Sequence, residues 1–212
     1  MTGRFITFEG GEGAGKSTQI ALLDEYLRQQ GISTVLAREP GGTPNAEALR
    51  ELVVSGEPGR WSALEEMLIM YAARSELVRT VIKPALKAGT WVLSDRFADS
   101  TTVYQGYAGG VSLARIAELH QIVLGSFQPD LTLLLDIPAN AGLSRVQSRA
   151  QTISRFEKHQ DSYYQQVRDG YLAIAKNEPE RFKVIDATGT PEQVFAKITQ
   201  FVEPYCTGEP GG

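Results

Sequence analysis

Apolar positions along this chain follow two alternating rhythms. Short apolar runs at Phe5–Phe8, Thr34–Ala37, Trp91–Leu93, Leu131–Leu135 and Phe182–Ile185 predict five strands. The run Leu131–Leu135 (LTLLL) is continuous, the pattern of a strand buried on both faces. Between the runs lie longer stretches with apolar residues three and four apart. Ile20, Leu23 and Leu27 mark a helix from Gly15 to Gln30, which Gly31 stops. Leu49 and Val53 mark a second helix over Ala46–Val54. Leu64–Leu86 reads as a long helical region, bent or broken near Lys83-Pro84 because proline lacks the amide a helix interior needs. Ile116–Leu124, Ala139–Arg149, Tyr163–Ala175 and Pro191–Val202 complete the set, the last with proline in its first turn. Strands separated throughout by helices predict an α/β fold with a parallel sheet. The polar segment Gln147–Gln160 breaks the pattern, as an ordinary surface connection or as a mobile lid.

The 212 residues fit one domain, and 42% hydrophobic with 22% charged residues suffices for a packed core. A net charge of −4 speaks against a nucleic-acid partner, which calls for a basic face, but leaves room for a local basic pocket. One cysteine, Cys206, allows no internal disulfide, and two histidines, His120 and His159, are too few for a His-rich metal site. No apolar run reaches the ~18 residues of a membrane span, and the first residues read as a strand rather than a signal peptide. A cytoplasmic protein without a membrane partner is the expectation. Residues 206–212 read as a flexible tail carrying an incidental thiol, and His120 as a surface or interface residue.

One motif changes the picture. Gly10-Gly11-Glu12-Gly13-Ala14-Gly15-Lys16-Ser17 fits G-x-x-x-x-G-K-[ST] in full and lies between a strand and a helix. Glycines let the backbone turn tightly and aim several amides at one anion, and the following helix adds its positive end. Lys16 is placed to reach β and γ phosphates, and the Ser17 hydroxyl to bind Mg²⁺. The spacing is not that of a dinucleotide fingerprint. No Asn-Lys-x-Asp stretch reads guanine, and Asp186-Ala-Thr-Gly189 comes too late in the chain for a γ-phosphate switch; it is a loop near the nucleotide base or a coincidence. The chain is short for a motor. Polar segments Arg38–Thr43 and Asp95–Phe97 follow the second and third strands, so they face the same crevice as the loop. Arg50, Arg74 and Arg96 can supply cations for a second, phosphate-bearing substrate. The residues thus point to a small-molecule kinase; another phosphate-loop kinase or a non-enzymatic nucleotide-binding module are the alternatives.

The motifs FEGGEGAGKST (Phe8–Thr18), REPGGT (Arg38–Thr43), YAAR (Tyr71–Arg74), VIKPALKAGTWVLSDR (Val81–Arg96), STTVYQGY (Ser100–Tyr107) and FQPDLTLLLD (Phe127–Asp136) together resemble the thymidylate kinase family from Phe5 to about Tyr205. The resemblance implies a three-layer P-loop NTPase fold with a five-stranded parallel sheet and a short lid, over residues 1–205, with the lid at about 145–160. It implies phosphorylation of dTMP to dTDP with ATP and Mg²⁺, by a homodimer joined through Leu64–Val81 and Ile116–Leu124. ATP phosphates would lie on Gly10–Thr18, including Thr18, and Mg²⁺ on Ser17. Asp95 would hold that metal through water or orient Arg96; Glu39 would serve the metal or hold Arg96. The crevice beneath Glu39, Pro40 and the Asp95–Gln105 stretch would take dTMP. There Arg50 and Arg96 would hold the phosphate, Arg74 the thymine carbonyl, and Thr101 and Gln105 the base edge. Glu12 would approach the 3′-hydroxyl and Tyr104 crowd the 2′ position. Met70 or Tyr71 would pack on the ring. Some relatives carry a catalytic arginine in the loop at the position of Gly13. This chain resembles the type that supplies it from the lid, through Arg149 and Arg155.

Overall fold

The computed structural model describes residues 3–57, 59–147 and 161–207. Strands β1 (Phe5–Glu9), β2 (Thr34–Arg38), β3 (Trp91–Asp95), β4 (Leu131–Asp136) and β5 (Phe182–Asp186) form one parallel sheet in the order β2-β3-β1-β4-β5. Helices α1 (Lys16–Gln29) and α9 (Pro191–Thr207) cover one face; their Leu23, Leu27 and Ile198 pack on Ile6, Phe8, Leu133 and Leu135. On the other, Phe5 and Val92 meet Leu77 of α3 (Ala63–Leu77) and Ile116 of α6 (Leu113–Leu124). Leu134 there meets Val167 and Tyr171 of α8 (Asp161–Asn177). Alternate β4 residues thus feed opposite layers, so its unbroken apolar run is needed.

Register decides where the chemistry collects. Phe8 pairs with Asp95 across β1 and β3, and Asp95 with Arg38 across β3 and β2. The carboxyl ends of three strands therefore bring Glu9, Arg38 and Asp95 to one edge, where open α/β sheets bind ligands. Helix α2 (Pro44–Val54) starts earlier than its apolar pattern, with Pro44 in its first turn and Thr43 accepting from the Ala46 amide. Ser62 and Glu65 form a reciprocal capping box on α3.

The expected bend near Pro84 takes a definite form. A π-helical turn, Val78–Ile82, separates α3 from the short α4 (Lys83–Lys87), so Pro84 falls in a first turn, where its missing amide costs little. A second π-helical turn, Thr102–Tyr107, extends the short α5 (Ala98–Thr101), in a segment where the apolar pattern predicts no helix. Helix α7 is described over Ala139–Gln147; the expected lid residues 148–160, with Arg149 and Arg155, lie outside the described residues. Helix α9 runs to Thr207, so Cys206, assigned to a tail from the sequence, is helical and half-buried, its thiol on the Val202 carbonyl. Among the described residues, no helix is long and apolar enough to cross a membrane.

Candidate active site

The loop between β1 and α1 depends on backbone that only glycine adopts easily. Gly10, Gly13 and Gly15 have φ of 137°, 72° and 92°. No side chain caps α1, so its first amides face outward beside the loop, a ready anion site. The Lys16 ammonium arches back over the loop, donating to the carbonyls of Gly10 (3.2 Å) and Gly11 (3.1 Å). Burial, helped by Arg96, lowers its pKa. One residue on, the Ser17 hydroxyl donates to Asp95 Oδ2 at 3.1 Å. A Cβ at Gly13 would run into the Gly142 carbonyl of α7, and one at Gly142 into the Glu12 carbonyl. Loop and helix are pressed together there, which closes position 13 to any side chain.

A crevice of about 530 Å³ opens from the loop. Arg96 stands at its centre with φ of 69°, a left-handed conformation unusual for a side-chain-bearing residue. Its neighbours hold it there. The Arg96 amide donates to the Phe8 carbonyl (3.0 Å), Ser94 Oγ donates to the Arg96 carbonyl (2.8 Å), and the Phe97 amide donates to Glu9 (2.8 Å). The guanidinium donates to Glu12 (2.7 Å), Ser100 (3.1 Å) and the Tyr171 hydroxyl (3.1 Å), and lies over the Tyr104 ring. The Tyr104 hydroxyl also donates to Glu12, at 3.1 Å. Burial pushes the Glu12 carboxyl up, but Arg96 and Lys16 outweigh it and hold the group below its ordinary value.

A second arginine sits deeper. Arg74 Nε donates to Glu39 (2.7 Å), and Nη2 to Thr101 (3.0 Å) and the Phe97 carbonyl (3.1 Å). Its Nη1 is buried without a hydrogen-bond partner among the described residues. Tyr71 and Phe97 place their rings against the guanidinium. Burial pushes the Glu39 carboxyl up to about 7, against the pull of Arg74. Arg50 donates to the Pro40 carbonyl (2.7 Å) at the crevice wall, which Met70 and Gln105 also line.

Loop residues Glu12 to Thr18 thus share one cavity with Glu39, Pro40, Arg50, Met70, Arg74, Asp95, Arg96, Thr101, Tyr104 and Gln105. Gly10 and Gly11 carry the carbonyls that receive Lys16. Among the described residues the Arg96 side chain pairs with Glu12, and Asp95 meets Ser17. The ion pair of Glu39 is with Arg74. Met70 faces the crevice, whereas Tyr71 is buried away from it with its hydroxyl 3.3 Å from His120 Nδ1. Asp186-Ala-Thr-Gly189 is a local turn, with Asp186 accepting from Thr188 and Lys197; Arg145 joins it to the loop through the Ala187 and Gly13 carbonyls.

The whole chain can now be compared with known proteins. A sequence model of the family described as thymidylate kinase matches residues 8–198. The chain belongs to the thymidylate kinase family. It is 50% identical to the thymidylate kinase of Caulobacter vibrioides over 200 residues, 94% of this chain and 96% of that one. It is 47% identical to that of Magnetococcus marinus over 203 residues, covering 96% and 97%. The thymidylate kinase crystal structure from Ehrlichia chaffeensis superposes with a TM-score of 0.77 at 35% identity, covering 95% of this chain and 99% of that one. As a thymidylate kinase, this chain has the P-loop NTPase fold expected from its sequence. Sequence reasoning passed over Glu9, Ser100 and Tyr171. The Glu9 carboxyl receives the Phe97 amide, Ser100 (2.7 Å) and Tyr171 (2.8 Å) behind Arg96. A glutamate closing an otherwise uncharged, buried strand, FITFE, was the available signal.

Proposed function

We propose how the residues of this thymidylate kinase, an ATP:dTMP phosphotransferase, divide the work of making dTDP. The amides of Gly10–Thr18 and the Lys16 ammonium hold the ATP phosphates. Ser17 and Asp95 present a hydroxyl and a carboxylate 3.1 Å apart, oxygen donors that suit Mg²⁺. Mg²⁺ held by these two groups would supply positive charge against the ATP phosphates. Arg96 and Arg50 hold the acceptor phosphate facing the loop. Glu12 approaches the sugar 3′-hydroxyl, and Tyr104 crowds the 2′ position. Met70 packs on the thymine, while Thr101 and Gln105 read its edge.

The observation that carries the base assignment is Arg74 Nη1, a buried donor without a hydrogen-bond partner among the described residues, on a side chain that lines the crevice with Thr101 and Gln105. An unmade buried donor is costly, and a base carbonyl relieves that cost. The test is an acceptor screen with ATP and Mg²⁺. ADP release should depend on dTMP; stimulation by AMP or CMP but not by dTMP would overturn the reading.

Transfer needs a cation on the moving phosphoryl group. The loop offers no side chain at Gly13, so Arg149 and Arg155 are the proposed source. The chain is proposed to pair with a second copy through α3 and α6, whose Leu64, Leu68, Leu113 and Ile122 are exposed. A monomer at micromolar concentration in sedimentation would contradict that pairing.

A further inference from the structure

Glu66, Met70 and Arg74 stand four residues apart on α3 and so share one face of the helix. Met70 and Arg74 line the crevice. Glu66 lies one turn back, half-buried, and accepts from Gln105 Nε2 at 2.9 Å. Gln105 itself is 1% exposed and lines the crevice. The glutamine comes from the π-helical turn after α5, so this bond crosses between two elements that both wall the site.

A glutamine amide carries two donors on one side and an acceptor on the other, and nothing in its shape fixes which way it faces. An ionised carboxylate can only accept. Glu66 therefore takes the nitrogen of Gln105, which leaves Oε1 as the acceptor end of that side chain.

We propose that Glu66 is a specificity-setting positioning residue: by fixing the Gln105 amide it makes the pocket present an acceptor beside the Arg74 donor. This rests on the base-reading role given above to Arg74 and Gln105. A donor next to an acceptor matches an imide edge, with its carbonyl beside a ring N–H. Cytosine offers the reverse, an amine beside a bare ring nitrogen. Both contacts then fail, and a site built to bond one pattern rejects the analogue lacking it. Glu66 touches no substrate; it acts through Gln105.

The test uses Glu66→Gln, of the same size and still able to bond Gln105, but able to donate as well as accept. Gln105→Ala runs beside it, with kcat and KM measured for dTMP and dCMP in both. Losing one enforced hydrogen-bond polarity is worth roughly a factor of ten. Glu66→Gln should lower the dTMP-over-dCMP preference about tenfold through KM, with kcat for dTMP nearly unchanged. If Gln105→Ala raises the dTMP KM while Glu66→Gln leaves the preference intact, the role of Glu66 is overturned and the base pocket stands. If Gln105→Ala leaves the dTMP KM unchanged, the base-reading assignment falls and this inference with it. A Glu66→Gln enzyme that loses kcat equally for both acceptors has lost a structural contact, which also overturns the proposal.

Discussion

Arg74 Nε lies 2.7 Å from Glu39 Oε2, with the two side chains only 2% and 5% exposed. The pair joins α3 to the turn after β2, and the Arg74 guanidinium offsets part of the cost of burying the Glu39 carboxyl. Burial nevertheless pushes the Glu39 carboxyl up to about 7, whereas the ordinary value is 4.5. Between those values the folded chain keeps a proton that the unfolded chain has lost. The stability contributed by this group is complete below about 4.5 and is lost as pH rises through about 7. Glu39→Gln cannot titrate and lacks that component. Melting temperatures from pH 4.5 to 7 should show the wild type declining relative to Glu39→Gln. Parallel curves would contradict the raised value.

Arg96 meets Glu12, Ser100 and Tyr171 from a left-handed backbone position. Holding a side-chain-bearing residue there costs ~1–3 kcal/mol, a strain typical of functional sites. Arg96→Ala removes the charge-assisted bonds proposed to hold the acceptor phosphate, each worth ~1.5–3 kcal/mol. The KM for dTMP should rise more than ~tenfold, with the KM for ATP changed far less. Steady-state kinetics with each substrate varied gives the answer, and a normal dTMP KM would remove the phosphate role.

Much of this was legible in the chain. FEGGEGAGKST announced the loop, three of its four glycines sitting where φ is positive, and LTLLL announced a strand buried on both faces. The π-helical turns were not legible. An extra residue per turn breaks the 3.6-residue period, so Thr102–Tyr107 showed no helical pattern although it carries Tyr104 and Gln105. The partners of the charged residues were equally hidden. Glu39 lies next to Arg38 in sequence but pairs with Arg74, 35 positions away, and Arg96 pairs with Glu12, 84 away. Such pairings follow from strand order and register, which a local pattern does not encode. Cys206 was assigned to a tail because the apolar helical pattern was followed only to Val202, whereas Val202, Tyr205 and Cys206 all pack on the core.

Tyr171 reaches from α8 to Glu9 and Ser100, both 2.8 Å away, behind Arg96. Removing its hydroxyl leaves a buried carboxylate oxygen one donor short, a cost of ~1–3 kcal/mol. Tyr171→Phe should shift the urea unfolding midpoint downward by a corresponding amount. An unchanged midpoint would show that the hydroxyl is not part of a supporting network.

Gly13 is closed to side chains by the Gly142 carbonyl, so the transition-state cation must come from elsewhere. Arg155→Ala should lower kcat more than ~tenfold while leaving dTMP affinity nearly intact, since an inserted arginine contributes ~10³–10⁵ in rate. Rapid-quench turnover with calorimetric dTMP binding separates the two effects. Unchanged turnover would sink the assignment.

The most direct measurement follows the γ-phosphoryl group itself. ATP labelled at the γ position is mixed with the enzyme, dTMP and Mg²⁺, and the products are separated. The label should appear in dTDP, in step with ADP, and transfer should stop when Mg²⁺ is chelated. Label released as inorganic phosphate with dTMP unchanged, or carried to another monophosphate in preference, would contradict the account.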